Sequence, residues 1–446
     1  MRRLAFIVAF GLVGAGTASA ELAVPGVQEG MLAVSPGGTP LIAYLDGNGL
    51  EIAARSPSAE WRPVRAARVS PGSSLVAFAA GRRGPVAVIE GPAARTLVVV
   101  RRGKRGWRTT PLAGVPAGVE LGWPGLVLKR GLPAIAYTRW RRPTRESVLK
   151  LARIDDRGRL RSVRITQGGF PTSYVPPSAV PVLVPGGIHV IESYGDDGAV
   201  GTIEWHRHDH KRSWSGQFID AGIGDFPVGP LLGAVDGAGT VYAAWSEALL
   251  GIGGLPVTLA VHGRSIDSNF VLDRAITTGL DVARSGPQVA ANEWVSADEL
   301  GLPGQDVVWA GVVVAHGVAV GVDGWIAGLS SAPHGARDLL LANTSGLSWY
   351  RSRREPSVRM SIHATEQLDG SVLVTGRARG ASAGSVTLYR ERPGTAREPV
   401  GTAPLARDGS FTLLDWPTMR PLLYRAVYTD GATGVPYSAL LRDVVS

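Results

Sequence analysis

Pro40-Leu-Ile-Ala-Tyr44 and Pro133-Ala-Ile-Ala-Tyr137 are near-copies far apart in the chain, and their reading decides the fold. Each is a short apolar run of strand character, opened by proline and closed by an aromatic residue. Related runs stand at Pro85-Val-Ala-Val-Ile89, Gly187-Ile-His-Val-Ile191, Thr240-Val-Tyr-Ala-Ala244 and Asp306-Val-Val-Trp-Ala310. Each has an earlier apolar partner, near Leu32, Leu75, Leu126, Val182, Leu231 and Val289, and a later one, near Ile52, Val98, Leu149, Ile203, Leu259 and Val318. A fourth run opens on a bulky residue: Trp61, Trp107, Leu160, Trp214, Phe270 and Trp325, spaced by 46, 53, 54, 56 and 55 residues. Turn clusters such as Asp46-Gly-Asn-Gly49 and Asp155-Asp-Arg-Gly158 separate the runs, with the residues that hairpins need. Beyond the first twenty residues no stretch keeps a helical period.

A unit of four strands cannot bury both faces alone, so it must recur and stack. The spacing predicts an all-β fold with a six-bladed β-propeller. A seventh blade is the alternative, because Asp338–Tyr350 reads as a hairpin turning at Ser345-Gly346. That hairpin either pairs with blade one to close the ring or begins a further blade with the N-terminal residues.

The 446 residues carry 46 Lys+Arg against 37 Asp+Glu, a net charge of +9, and no cysteine. Disulfides, Cys-zinc sites and Cys nucleophiles are thereby excluded. Only Lys104, Lys129, Lys150 and Lys211 are lysines, so the arginine excess fits a coding bias better than nucleic-acid binding. Met1-Arg2-Arg3, an apolar segment from Leu4 to about Val13 and Ala18-Ser19-Ala20 form the three parts of a secretory signal. Cleavage is expected after Ala20, by general or twin-arginine export, leaving no integral membrane span. The expected location is secreted, extracellular or in the cell envelope.

Composition changes at Arg351-Ser-Arg-Arg-Glu-Pro356, giving an expected division into signal peptide (1–20), propeller (21–352) and C-terminal module (353–446). Seven alternating runs follow the linker, with a hairpin turn at Asp408-Gly409, as in an immunoglobulin-like β-sandwich. The runs Gly370-Ser-Val-Leu-Val-Thr-Gly376, Val386-Thr-Leu-Tyr-Arg390, Asp408-Gly-Ser-Phe-Thr412 and Leu423-Tyr-Arg-Ala-Val-Tyr428 resemble bacterial Ig-like domains appended to secreted and surface proteins. The resemblance puts Tyr424 in the tyrosine-corner place, Ala426 at the second-cysteine position of antibody domains, and implies a stalk, spacer or adhesion role. The preceding repeats are similar to secreted bacterial propellers of the broad sialidase-like or lyase-like type. The sialidase motif Ser-x-Asp-x-Gly-x-Thr-Trp is absent; Ser193-Tyr-Gly-Asp-Asp-Gly198 lacks its spacing and its Trp.

In a propeller the loops leaving each second strand and those joining blades meet at one mouth of the channel, the natural place for a ligand. The second-strand exits carry Tyr44, Asp46, Glu90, Tyr137, Arg139, Trp140, Glu192, Tyr194, Trp245 and Glu247. Aromatic faces and acids suit a glycan or cell-wall polymer, and the leading reading is a noncatalytic binding or adhesion protein. A sialidase-like glycoside hydrolase or polysaccharide lyase is the alternative, with Glu192 and Glu247 as the carboxylate pair and Tyr194 as nucleophile. A purely structural surface protein is a third. His206, His208 and His210 alternate onto one sheet face, a weak metal candidate, and no cofactor is indicated. The clusters Arg139–Arg145 and Arg101–Trp107 would meet an acidic envelope glycan rather than nucleic acid.

Overall fold

The computed structural model describes residues 21–446 apart from 104–105, 167–174, 197–198, 208–213, 223–225, 249–256, 263–266, 273–274, 284–285, 297–306, 316–317, 333–335, 344, 353–357, 382, 392–396, 418–422, 432–433 and 442–446. The segment read as an export signal lies outside them. None of the described helices is long and apolar enough to cross a membrane.

The chain is all-β, a set of small antiparallel meanders. The first sheet is Met31–Val34, Pro40–Asp46, Gly49–Arg55 and Trp61–Arg68; the second is Ser74–Gly81, Gly84–Glu90, Thr96–Gly103 and Gly106–Gly114. The third is Gly125–Lys129, Leu132–Arg141, Glu146–Ile154 and Leu160–Arg164, with Val119–Leu121 added along the end of its second strand. The fourth is Ala179–Val184, Gly187–Asp196, Ala199–Arg207 and Trp214–Gly222; the fifth is Phe226–Val235, Val241–Ala248, Val257–His262 and Asp267–Leu272. The sixth is Ala275–Ala283, Gly286–Ser296, Val307–Ala315 and Val318–Val322. The seventh is Trp325–Ser331, Arg337–Asn343 and Gly346–Ser352, completed by the N-terminal strand Glu21–Pro25.

Among the described residues the first strands of these sheets touch in sequence order, and Trp325–Ser331 returns to Met31–Val34. This cyclic arrangement is that of a β-propeller. Alternation along each second strand sends successive side chains to opposite seams. Ile42 and Tyr44 pack with Leu340 and Trp349 of the seventh sheet, whereas Ala43 packs with Ala87 and Ile89 of the second. Ile135 and Tyr137 face the second sheet, while Ala134 and Ala136 face the fourth. The small residues of the Ile-Ala-Tyr runs are therefore the ones that let sheets approach closely.

The sixth unit differs from its sequence reading by one strand. Asp306–Ala310, read as a second strand, falls in the third strand Val307–Ala315, and Trp325 opens the next sheet instead of a fourth strand. The long second strand Gly286–Ser296 hides the true phase, because its Val289 was read as a first strand.

Three seams repeat one polar device, an indole N–H donated to a buried carboxylate. Trp205 Nε1 meets Glu192 at 3.0 Å, Trp245 Nε1 meets Glu247 at 2.6 Å, and Trp349 Nε1 meets Asp338 at 3.1 Å. The last also receives Arg351 at 2.8 and 2.7 Å. Burial pushes Asp338 up against the opposing pull of that guanidinium, and burial pushes Glu192 up to about 8 against the smaller opposing effect of the Trp205 N–H. At the closure Arg55 pairs with Glu21 of the N-terminal strand at 2.7 Å and lies over the Trp349 ring.

The C-terminal segment forms two facing sheets. One is Arg359–Glu366, Val372–Arg379 and Ser410–Asp415; the other runs Pro436–Leu441, Leu423–Thr429, Ser385–Glu391 and Glu398–Pro404. Val374, Phe411, Leu388, Tyr424 and Tyr428 share their core. The fully buried Tyr424 donates its hydroxyl to Asp415 at 2.7 Å, a side-chain partner where tyrosine corners usually use backbone.

This module is joined to the ring edge to edge. Val322 pairs with Tyr437, and the Asp323 N–H donates to the Pro436 carbonyl at 2.7 Å. Gly321 permits the approach, since a Cβ there would lie 2.3 Å from the Ser438 carbonyl oxygen. Above the joint, Arg397 grips Asp323 at 2.7 and 2.8 Å and lies 3.1 Å from Glu391, which the buried Arg425 also holds.

Two stability predictions follow from these contacts. Glu192 has a folded-state value above its unfolded one, so its contribution is complete below about pH 4.5 and is lost as pH rises towards about 8. Glu192→Gln should therefore gain on the parent protein across that window, by up to several kcal/mol at about 1.4 kcal/mol per pH unit; parallel stability-versus-pH curves from urea unfolding would contradict this. Arg425→Ala leaves the buried Glu391 carboxylate with Arg397 as its remaining partner and should cost about 3 kcal/mol. Calorimetry should show module and ring unfolding together, and an unchanged ring transition would refute the coupling.

Candidate functional site

The ring has two ends, and the exits of second strands share one with the sheet-joining segments. There a cleft of about 210 Å³ opens between the second, third, fourth and fifth sheets, lined by Glu90, Glu120, Trp123, Val175, Pro176 and Ser178 among others. Glu90 is the last residue of the second strand Gly84–Glu90. Burial pushes its carboxyl up to about 7, because ionising it would place a charge where water is partly excluded. The turn beyond it is strained: Ala93 and Ala94 take φ of 57° and 51°, a region costly for residues with a Cβ.

Trp123 projects from the segment joining the second and third sheets, 42% exposed despite its size. Its backbone is fixed: its carbonyl accepts the Ala179 N–H at 3.0 Å, and Pro124 bridges Ala179 in parallel. Gly122 allows that segment to lie against Pro177, whose carbonyl oxygen would be 1.9 Å from a Cβ at 122. The same carbonyl accepts the Thr138 hydroxyl. Glu120 sits on the added strand Val119–Leu121, opposite Trp140. Ser178 exchanges hydrogen bonds with Ser193 and donates its hydroxyl to Gly229 at 3.1 Å, binding the fourth and fifth sheets at the cleft floor.

Of the residues expected at the mouth, Glu90 lines this cleft. Asp46 is exposed in the first sheet's turn, and Arg139 is half-buried, with Nη2 3.5 Å from the Gly114 carbonyl. Tyr44, Tyr137, Trp140 and Trp245 are buried, at 6, 1, 3 and 1% exposure. Glu192 and Glu247 come from neighbouring sheets but face different seams. Glu192 turns with Trp205 towards the third sheet, and Glu247 turns with Trp245 towards the fourth. The fourth sheet itself separates them, so they form no pair across an open site. The side chain of Tyr194, and His208 and His210, lie outside the described residues. His206 is half-buried, its ring 5.8 Å from His189, which is hydrogen-bonded to Glu204. Among the described residues no three His, Cys, Asp or Glu are grouped to hold a metal.

Trp123, Glu120 and Ser178 were not singled out by the sequence. A signal existed for Trp123: an indole between Gly122 and Pro124 in a sheet-joining segment has no strand in which to be buried.

No family model matches the chain, and no curated protein matches it. Solved structures similar to it include Sqt1 of Chaetomium thermophilum bound to the N-terminus of ribosomal protein L10 (13% identity, 89% of this chain and 100% of that one, TM-score 0.42). Others are a protein from Lactobacillus plantarum (14%, 62% and 82%, 0.39) and sucrose-6-phosphate hydrolase from Lactobacillus gasseri (12%, 96% and 89%, 0.31). At such identities and scores, the activities of those proteins say nothing about this one.

Proposed function

We propose that this chain is an exported, envelope-associated glycan-binding protein: a seven-bladed propeller that presents the Glu90–Trp123 cleft and is buttressed by an immunoglobulin-like module. The observation that carries the reading is the sharing of one cleft by an exposed indole on a hydrogen-bonded backbone and a carboxyl that burial pushes up to about 7. An indole face offers a flat apolar platform to a sugar ring. A carboxyl that is protonated near pH 7 both donates and accepts, which matches a hydroxyl-rich ligand. Seven seam cores support the blade count, and the two facing three- and four-stranded sheets support the Ig-like assignment. The three-part N-terminus supports export. The edge-to-edge joint favours a rigid buttress over a flexible spacer.

A glycan array with residues 21–446 is expected to give hits that Trp123→Ala reduces at least tenfold. Affinity for such a hit should fall between pH 6 and 8 as Glu90 loses its proton, and Glu90→Gln should flatten that profile. No hit would leave the structural-protein reading, and hits that Trp123→Ala leaves untouched would place glycan binding outside this cleft.

One observation favours a hydrolase or lyase as the second reading: Glu90, raised to about 7, shares the cleft with a second carboxylate, Glu120. That is the division of labour between general acid and partner carboxylate seen in glycoside cleavage. Release of reducing ends from an array hit, abolished by Glu90→Gln while binding persists, would establish it.

A further inference from the structure

At the end of the ring opposite the cleft, four hairpin tips of the second and third sheets meet. Strand Gly84–Glu90 separates the two ends by about 20 Å at roughly 3.3 Å per residue. The tips are packed together. The Arg83 side chain lies over Gly131, Arg102 lies over Gly84, and the Arg101 guanidinium reaches Gly158. Arg83 pairs with Asp156 across the seam. These tips hold Arg82 and Arg83, Lys129 and Arg130, Arg101, Arg102 and Arg108, and Arg157 and Arg159.

Only two acids accompany them, and both are occupied. Asp156 holds Arg83, and Asp155 accepts the backbone N–H groups of Arg157 and Arg159 together with the Arg159 side chain at 2.8 Å. Arg82, Arg102, Arg108, Lys129 and Arg130 are exposed and have no ion pair among the described residues. Two further observations mark the patch as more than a solvated basic surface. Arg101 is buried at 8% exposure, yet its Nε has no hydrogen-bond partner in the described structure. A cation whose Nε is buried without a partner carries a desolvation cost, and negative charge bound at the surface beside it would offset that cost. Arg130 occupies a two-residue hairpin turn with Gly131 at φ of 55° and 75°, where asparagine or glycine is the unstrained choice. A cation is held at the apex in spite of the backbone.

We propose that these tips form a second binding surface, independent of the cleft, for a linear polysaccharide bearing carboxylates. Guanidinium forks suit the carboxylate group. Among the described residues of the tips no aromatic side chain is exposed, so a nucleic acid would find charge but no stacking platform.

The probe is polygalacturonate, titrated against residues 21–446 at several salt concentrations. Binding should weaken steeply with salt. The quadruple variant Arg82→Gln/Arg102→Gln/Lys129→Gln/Arg130→Gln should bind at least tenfold more weakly, with a flatter salt dependence. A control removing the same charge elsewhere, Arg68→Gln/Arg359→Gln/Arg379→Gln/Arg407→Gln, should bind like the parent. Arg130→Gly should weaken binding while raising the unfolding midpoint, which separates lost contact from lost fold. Absence of polygalacturonate binding, or equal loss in the control, overturns the proposal. So does tighter binding of a DNA duplex of equal charge. Trp123→Ala should leave this binding intact, so the surface and the cleft stand or fall separately.

Discussion

A four-stranded antiparallel sheet with apolar side chains on both faces has no stable existence in water. Everything in this molecule depends on covering both faces of every sheet, and a closed ring does so without leaving a terminal face. Closure is made by Glu21–Pro25 pairing with Gly346–Ser352, so the last sheet is assembled from both ends of the ring. Its strength is local and identifiable: Trp349 is met edge-on by Trp61 at 5.8 Å, and Arg55 and Arg351 lie over the same ring. Arg55 ties its own sheet to the N-terminal strand through Glu21. A contact that joins residues more than three hundred positions apart carries a large loop-closure cost, which the stacking of the intervening sheets offsets.

The same constraint decides which polar residues are left for function. Second strands are the most enclosed of each sheet, so an acid or aromatic near their ends is drawn into a seam unless the strand stops at once. Glu192 and Glu247 are drawn in, and each takes an indole N–H because an unpartnered carboxyl there would be costly. Glu90 escapes because its strand ends with it and the chain enters the short turn Pro92–Ala94 directly after an extended Gly91. The cleft is therefore built from strand ends and joining segments, where the stacking requirement no longer applies.

How much of this was legible in the sequence follows from the same physics. The repeat was legible because each sheet solves one packing problem with the same residue types, and the hairpin at Ser345-Gly346 was legible from its turn residues. The phase of the sixth unit was not. Strands Gly286–Ser296 and Val307–Ala315 are both long and apolar, so neither declares itself second or third. The separation of Glu192 from Glu247 was hidden for a subtler reason. Adjacent sheets in a ring present opposite faces to their shared seam, so residues on neighbouring second strands meet only when their parities are opposed. Ile191 and Trp245 satisfy this and share a core; Glu192, one residue on from Ile191, faces away from it.

The C-terminal module obeys a different rule. Its joint is an edge, not a face: Val322 pairs with Tyr437 and extends the sixth sheet into the module. An outer strand such as Val318–Val322 is an exposed template for pairing with other chains, and the module occupies its end at Val322. The core across the joint runs without interruption from Val313, Val322 and Ile326 to Tyr428 and Tyr437. Above it, Asp323 from the ring and Glu391 from the module both converge on Arg397 and Arg425. A hinge at that place would have to break backbone pairing, expose apolar side chains and separate buried charges together. The joint therefore resists hinging, and the cleft end of the ring keeps a fixed relation to the module.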